Sequence, residues 1–283
     1  MPELPEVESI KLQLQKYLLG HRIEDIVINY TKIFNGDKTK AIGTKVLGIR
    51  RFGKALVFDL DNAYSIVIQI KLTGQLIYRG LNLSKANLLS EKILGGLGGK
   101  HTHVVFKLDK GGTLYYNDVR KFGRILIAKS ENLKAESQFL SKLGAEFLSD
   151  MTMDKFSEIL KKSSQAIKVL LMDQTKMVGV GNIYANDALF HAKIKPQRKA
   201  ESLKREEIEK LFNAVESVLK EGIKRGGASE QAYVTPDGSE GSYQDFTLVY
   251  GRENELCKNN CGERIKKIKL GGRGTYFCPK CQR

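Results

Sequence analysis

All four cysteines of this 283-residue chain fall between residues 257 and 281, in the pattern Cys257-x3-Cys261-x16-Cys278-x2-Cys281. Two close pairs across a short stretch can offer four thiolates to one tetrahedral zinc ion, and Gly271, Gly272 and Gly274 let an intervening β-hairpin turn tightly. Four protein ligands leave no position for water, so the expected zinc is a single structural ion. Clustering of this kind argues for metal rather than disulfides and for a reducing compartment. The start, Met-Pro-Glu-Leu-Pro-Glu, lacks the basic and apolar regions of a secretory signal, and no run approaches the roughly 18 apolar residues of a membrane span. A cytoplasmic protein without a membrane partner is expected.

Lys and Arg number 47 against 32 Asp and Glu, a net charge of +15. Such an excess favours a polyanionic partner, because each cation placed on a phosphate releases counterions. An unspecific basic surface is the alternative on charge alone. Around the cysteines lie Lys258, Arg264, Lys266, Lys267, Lys269, Arg273 and Lys280, which would make the finger a basic prong suited to a nucleic-acid groove.

Val7, Ile10, Leu14, Tyr17 and Leu18 predict an amphipathic helix over residues 3–19, stopped by Gly20. From about 22 to 128 come short β-branched runs such as 23–28, 55–60, 65–70, 104–108 and 124–128, several of them divided by turn clusters, which predict an antiparallel sandwich or barrel. Residues 81–100, with four glycines, read as a surface loop. After 130 the period turns helical, with candidates at 153–162, 166–172, 183–191 and 204–225. The last carries the apolar stripe Ile208, Leu211, Phe212, Val215, Val218, Leu219 and Ile223 and ends at Gly226-Gly227. Residues 228–245 are polar, without period, and read as a long mobile loop of the kind that often carries function.

Three further places could carry chemistry. Loss of Met1, which a small second residue invites, would leave Pro2 as a free secondary amine with a pKa of about 7.7 to 8.0. Attack on a sugar carbon would give an iminium, an electron sink suited to β-elimination, with Glu3 as acid or base. Taken alone, Pro2 reads more simply as the preorganised first turn of a helix, and Glu3 and Glu6 as partners of its dipole. Val178-Gly-Val-Gly-Asn182 opens an apolar helix and could present N–H groups to a phosphate, or be a bare turn between helices. Asn117-Asp-Val-Arg-Lys-Phe-Gly123 sets a cation beside an aromatic that could wedge into a base stack, or be a hairpin with one exposed Arg.

Taken in order, these motifs resemble the bacterial formamidopyrimidine-DNA glycosylase family. The residues that carry the resemblance are the Met-Pro-Glu-Leu-Pro-Glu-Val-Glu start, Arg50-Arg-Phe-Gly-Lys54, Lys100-His-Thr-His103, Asp118-Val-Arg-Lys-Phe-Gly123, Leu143 to Leu148, Met172-Asp-Gln174 with GVGNIYA, Val249-Tyr-Gly-Arg252 and the four-Cys finger. The resemblance implies an α+β protein: an N-terminal β-sandwich flanked by helices (1–130), a helix-two-turn-helix module (131–227), a lesion-capping loop (228–245) and a β-hairpin zinc finger (246–283). It also implies a monomeric enzyme of base excision repair acting on double-stranded DNA with oxidised bases. That enzyme removes 8-oxoguanine and formamidopyrimidines and then nicks the strand by β,δ-elimination. By resemblance, Pro2 is the nucleophile, Glu3 protonates the sugar, Lys54 serves β-elimination, and Arg273 serves δ-elimination. His101, Arg120, Lys168 and Asn182 match DNA-contact positions, and Leu72, Arg120 and Phe122 match the trio that fills the void of a flipped nucleotide.

The chain departs from the family at Leu72, where Met is usual, at Val119 for Pro, and at Ser163-Ser164 for a Lys. It departs also in the x3 spacing of the first Cys pair and in Ala228-Ser-Glu-Gln-Ala232 where Thr-Thr-Leu-Arg/Lys-Asp is usual. The alternatives are an endonuclease VIII-like enzyme for oxidised pyrimidines and a catalytically silent lesion-DNA binder. The Pro-Glu-Leu-Pro start and the long loop favour the purine enzyme, and the set Pro2, Glu3, Lys54 and Arg273 speaks against a silent binder.

Overall fold

The computed structural model describes residues 2–81, 83, 89–230 and 232–283, and it divides into two compact units. The first comprises residues 1–141 with 225–244, the second 142–224 with 245–283. The segment after Gly227 thus belongs with the N-terminal sheets, and the helical module and finger share one unit.

In the first unit, helix α1 (Leu4–Leu18) buries the predicted stripe Val7, Ile10, Leu14 and Leu18, and the chain turns away at Gly20, whose φ is +78°. Strands β1 (Ile23–Ile28), β2 (Val46–Phe52), β3 (Ala55–Leu60), β4 (Tyr64–Gln69), β5 (Gly74–Arg79), β6 (Thr102–Leu108), β7 (Thr113–Asp118) and β8 (Arg124–Lys129) follow. An antiparallel sheet runs in the order β1, β6, β7, β5. A second runs β8, β4, β3, β2, with the two residues Phe34–Asn35 added in parallel on β8. Alternation decides which side chains meet: Val104, Phe106, Leu114, Tyr116, Leu76 and Tyr78 from one sheet share a core with Leu56, Phe58, Ile66, Ile68, Ile125 and Ile127 from the other, and with the stripe of α1. The outer face of β5 is not left to water. Ile77 packs with Ile93, Leu97 and Val234, so residues just before and within the glycine-rich stretch and after Gly227 cover the sheet there.

That cover amends the reading of 228–245 as a long mobile loop. The segment is irregular, as its composition predicts, but Ala228, Ser229 and 232–235 are buried. Its backbone is paired: Tyr78 N–H donates to Pro236 O (2.8 Å) and Tyr243 N–H to Gly227 O (3.0 Å). A period is absent because scattered backbone and side chain to backbone bonds, rather than a ladder, hold it.

In the second unit, helices α2 (Met153–Lys161), α3 (Ile167–Leu171), α4 (Asn182–His191) and α5 (Arg205–Lys224) match the predicted helices to within two residues. Helix α5 buries Ile208, Leu211, Val215, Val218 and Leu219, while Phe212 joins Phe147 and Phe156 in an aromatic cluster with centroids 5.3 to 5.7 Å apart. Strands β9 (Lys266–Leu270) and β10 (Arg273–Phe277) form the finger's hairpin, turning at Gly271 and Gly272, both at positive φ. Among the described residues no helix is long and apolar enough to cross a membrane.

Gly222 of α5 sits against Tyr184 of α4, where a Cβ would lie 2.5 Å from the ring. We expect Gly222→Ala to lower stability by about 1–2 kcal/mol in urea melts, because overpacking outweighs the roughly 1 kcal/mol that Ala gains in helix propensity.

Candidate active site and metal centre

In the first unit, Pro2 is buried just ahead of α1, and Glu3 stands at the helix N-cap with extended backbone. The carboxylate of Glu6, one turn on and 1% exposed, accepts the N–H of Glu3 (2.7 Å) through one oxygen and the N–H of Ala228 (2.8 Å) through the other. The phenol of Tyr233 donates to Glu6 O and Gly226 O, and burial raises its pKa well above the phenolic range. The start of the chain and the segment after Gly227 are therefore bound together by buried hydrogen bonds. Lys54, half-buried, follows Gly53 in the β2–β3 turn. Arg51 ties that turn to α1, bonding Glu8 (2.7 Å) and Gly53 O (3.2 Å).

Leu72, Arg120 and Phe122 lie on two turns joined by one buried side chain. Asp118, fully buried at the end of β7, accepts from Thr73 Oγ1 (2.5 Å), Arg120 N–H (3.2 Å) and Gly123 N–H (2.8 Å). Arg120 N–H also donates to Thr73 Oγ1 (3.1 Å), so the turn bearing Leu72 and the turn bearing Arg120 and Phe122 form one assembly. Phe122 is 52% exposed, with the Arg120 guanidinium 4.6 Å from its ring centroid. An apolar ring held out into solvent beside a cation is suited to a base stack. His101, half-buried, lends its carbonyl to Asp118 N–H (2.9 Å), and its ring fills the space where a Cβ on Gly95 would lie 2.8 Å away.

In the second unit, Asn182 opens α4 behind Gly181. Gln174 shapes the approach: its Nε2 donates to Met172 O and Val180 O, and its Oε1 accepts from Gly179 N–H, at 2.8 to 3.0 Å. Gly179, at φ +107°, needs its missing side chain there. Lys168 differs from a surface DNA contact. It is 1% exposed, and its Nζ donates to Gly274 O (2.9 Å) and Thr275 Oγ1 (2.7 Å) of the hairpin. Arg273 is exposed at the start of β10 and shares with Lys168 and Gln165 the lining of a hollow of about 260 Å³.

The sequence reading assigned no role to Asn186 and Asp187, which α4 buries completely. Asp187 accepts the N–H groups of Leu248, Val249 and Tyr250 (3.0 to 3.2 Å), and Asn186 Oδ1 accepts that of Tyr276 (2.7 Å). Adjacent Asn and Asp inside an apolar helix were the available signal. Buried polar groups of this kind have partners, and here the partners are the backbone of the finger and its lead-in.

The sulfurs of Cys257, Cys261, Cys278 and Cys281 lie within 4.8 Å of one another. The Cys257–Cys281 and Cys261–Cys278 separations are 3.8 and 3.5 Å, where tetrahedral zinc with bonds of about 2.3 Å requires about 3.8 Å. Burial and the neighbouring thiols push the Cys257 thiol up to about 12, while the Glu263 backbone brings Cys261 down to about 7. Four thiols crowded this way fit a divalent cation that replaces their protons, and the chain takes one structural zinc.

The family model for the formamidopyrimidine-DNA glycosylase N-terminal domain matches residues 1–125, that for its H2TH domain 143–234, and that for the zinc finger found in FPG and IleRS 254–283. The chain belongs to the formamidopyrimidine-DNA glycosylase family. The enzyme of Desulfitobacterium hafniense is 39% identical and that of Listeria monocytogenes 38%, each alignment covering both chains in full. Among solved structures, the MutM (Fpg) protein of Thermus thermophilus is 36% identical over 99% of this chain and 98% of its own, with a TM-score of 0.86. The Lactococcus lactis Fpg in complex with abasic-site DNA is 33% identical over 99% of each chain, with a TM-score of 0.85.

Within the family frame the α+β class, with N-terminal sheets, H2TH helices and a β-hairpin finger, holds as expected. Metal analysis should find about one zinc per chain, lost in Cys278→Ala. Asp118→Ala should lower stability by about 2–3 kcal/mol in urea melts, by leaving the Gly123 N–H and the Thr73 hydroxyl short of an acceptor, and should lower hydrogen-exchange protection at Gly123.

Proposed function

We propose that this chain excises oxidised purines, 8-oxoguanine and formamidopyrimidines, from duplex DNA through an N-terminal proline Schiff base, and then nicks the strand. As a family member it is a DNA glycosylase of base excision repair with the accompanying lyase activity. The proposal concerns its substrate range, its residue roles, and its place as a monomer on nucleoid DNA in the cytoplasm.

The observation that carries the reading is the Glu6 carboxylate shared between Glu3 and Ala228. It joins the nucleophile-bearing start to the segment read as the cap of a flipped base. Loss of Met1 frees the Pro2 nitrogen, which attacks the deoxyribose C1′. The glycosidic bond breaks, the base departs with its electron pair and takes up a proton, and Glu3 protonates the sugar oxygen as the ring opens. The resulting iminium draws electrons from C2′. Loss of a C2′ proton expels the 3′ phosphate, assisted by Lys54, and a second elimination assisted by Arg273 expels the 5′ phosphate. Leu72, Arg120 and Phe122 fill the vacated stack, while His101 and Asn182 contact the backbone. Lys168, whose Nζ holds the strand that bears Arg273, positions that arginine. Zinc, when bound, supplies a structural cross-link of the finger and no open coordination position.

Borohydride reduction with a duplex carrying 8-oxoguanine opposite cytosine should trap a covalent adduct. Pro2→Gly should weaken trapping by at least about tenfold while DNA affinity changes by less than about threefold. A trapped adduct on an oxidised pyrimidine alone would transfer the protein to the endonuclease VIII-like branch, and none on either substrate would leave a silent binder.

A further inference from the structure

The segment after Gly227 has no ladder, so its path is set by whatever grips its backbone. Gln75, 1% exposed on β5, spends part of its carboxamide on this segment and the rest on residues 92–94. Its Nε2 donates to Ala232 O and to Lys92 O, both at 2.7 Å, and its Oε1 accepts from Leu94 N–H at 3.2 Å. Lys92 Nζ in turn donates to Ser229 O (2.7 Å) and pairs with Glu240 (2.5 Å), whose other carboxylate oxygen accepts from Ser90 Oγ (2.5 Å). Ser90 N–H donates to Gly238 O (2.9 Å), and Ile93 packs on Val234 and Ile77. Residues 89–94, part of a plain surface loop by sequence, thus act as a bracket. The carbonyls of Ser229 and Ala232 are both held by side chains from outside the segment.

We propose that Gln75 and Lys92 are positioning residues that fix the backbone at Ser229 and at Ala232 and thereby decide how well a flipped oxidised base is held. The inference rests on the reading of this segment as the cap of that base. A backbone that offers N–H groups to a base must hold them within a fraction of an ångström of the productive geometry. Gripping the Ser229 and Ala232 carbonyls orients the peptide planes to which they belong. Gln75 does so without a buried charge, and Lys92 does so with its charge balanced by Glu240.

The test compares two reactions of the full-length, zinc-loaded protein lacking Met1: single-turnover release of 8-oxoguanine opposite cytosine, and nicking of a duplex with a pre-formed abasic site, which has no base to cap. Gln75→Leu and Lys92→Met should each slow base release by about tenfold, while abasic nicking stays within about twofold of the parent. Lys92→Arg, which keeps a donor, should restore most of the loss. Lys92 is partly exposed, so its variants report even where Gln75→Leu fails to fold. Unchanged base release, or equal losses in both reactions, would overturn the positioning role. Failure of the underlying reading would be visible in the parent protein itself, which would nick abasic DNA without releasing 8-oxoguanine.

Discussion

The buried carboxylate of Glu6 is the contact on which the start of the first unit depends. Pro2, the proposed nucleophile, lies at the end of the chain most prone to fray, and α1 alone cannot hold the residues that precede it. Glu6 takes the N–H of Glu3 and that of Ala228 on its two oxygens, so the start of the chain and a segment more than 200 residues away in sequence are held by one side chain. Charge-assisted bonds from backbone N–H groups are among the stronger polar contacts, and they repay the desolvation of a carboxylate only when its oxygens are used.

The same device recurs wherever the chain leaves regular structure. Asp118 gathers two N–H groups and a hydroxyl where β7 ends, and Asp187 gathers three N–H groups at the lead-in to the finger. Turns that present side chains to a ligand cannot satisfy their own backbone in a ladder. A buried acceptor with several lone pairs is the economical substitute. It also explains why a chain of net charge +15 buries acids at its working turns: the excess cations stay on the outside, while the anions organise the backbone beneath them.

Where a structure follows from a repeating pattern, the sequence reveals it. The stripe of α1, the stripe of α5 and the two Cys pairs are periodic or clustered, and each lies where its spacing puts it. The strands Val46–Phe52, Gly74–Arg79 and Thr113–Asp118 were less legible, since glycines, charges or flanking polar residues interrupt their apolar runs. Contacts of long sequence separation left no trace at all. Nothing adjacent to Gln75 in sequence announces Ala232, and nothing near Lys168 announces Gly274. The resemblance supplied the site residues, Lys168 among the DNA contacts, while the burial of that lysine inside the unit is a feature of the fold that its sequence neighbours do not announce.

The departures from the family at residues 228–232 then take on a physical meaning. Four bonds that fix this segment go to its backbone: Ala228 N–H to Glu6, Ser229 N–H to Gln244, and the carbonyls of Ser229 and Ala232 to Lys92 and Gln75. Ser229 also uses its side chain, its hydroxyl accepting from Gly241 N–H, and it retains a hydroxyl where the family usually has Thr. A path defined by main-chain bonds tolerates new side chains provided the gripping residues stay in place. Ala228, Ser229 and Ala232 can accordingly hold such a path as well as other side chains at those positions could. Constraint on substrate handling therefore resides less in the segment's own letters than in the bracket of Gln75, Ser90, Lys92 and Glu240 around it.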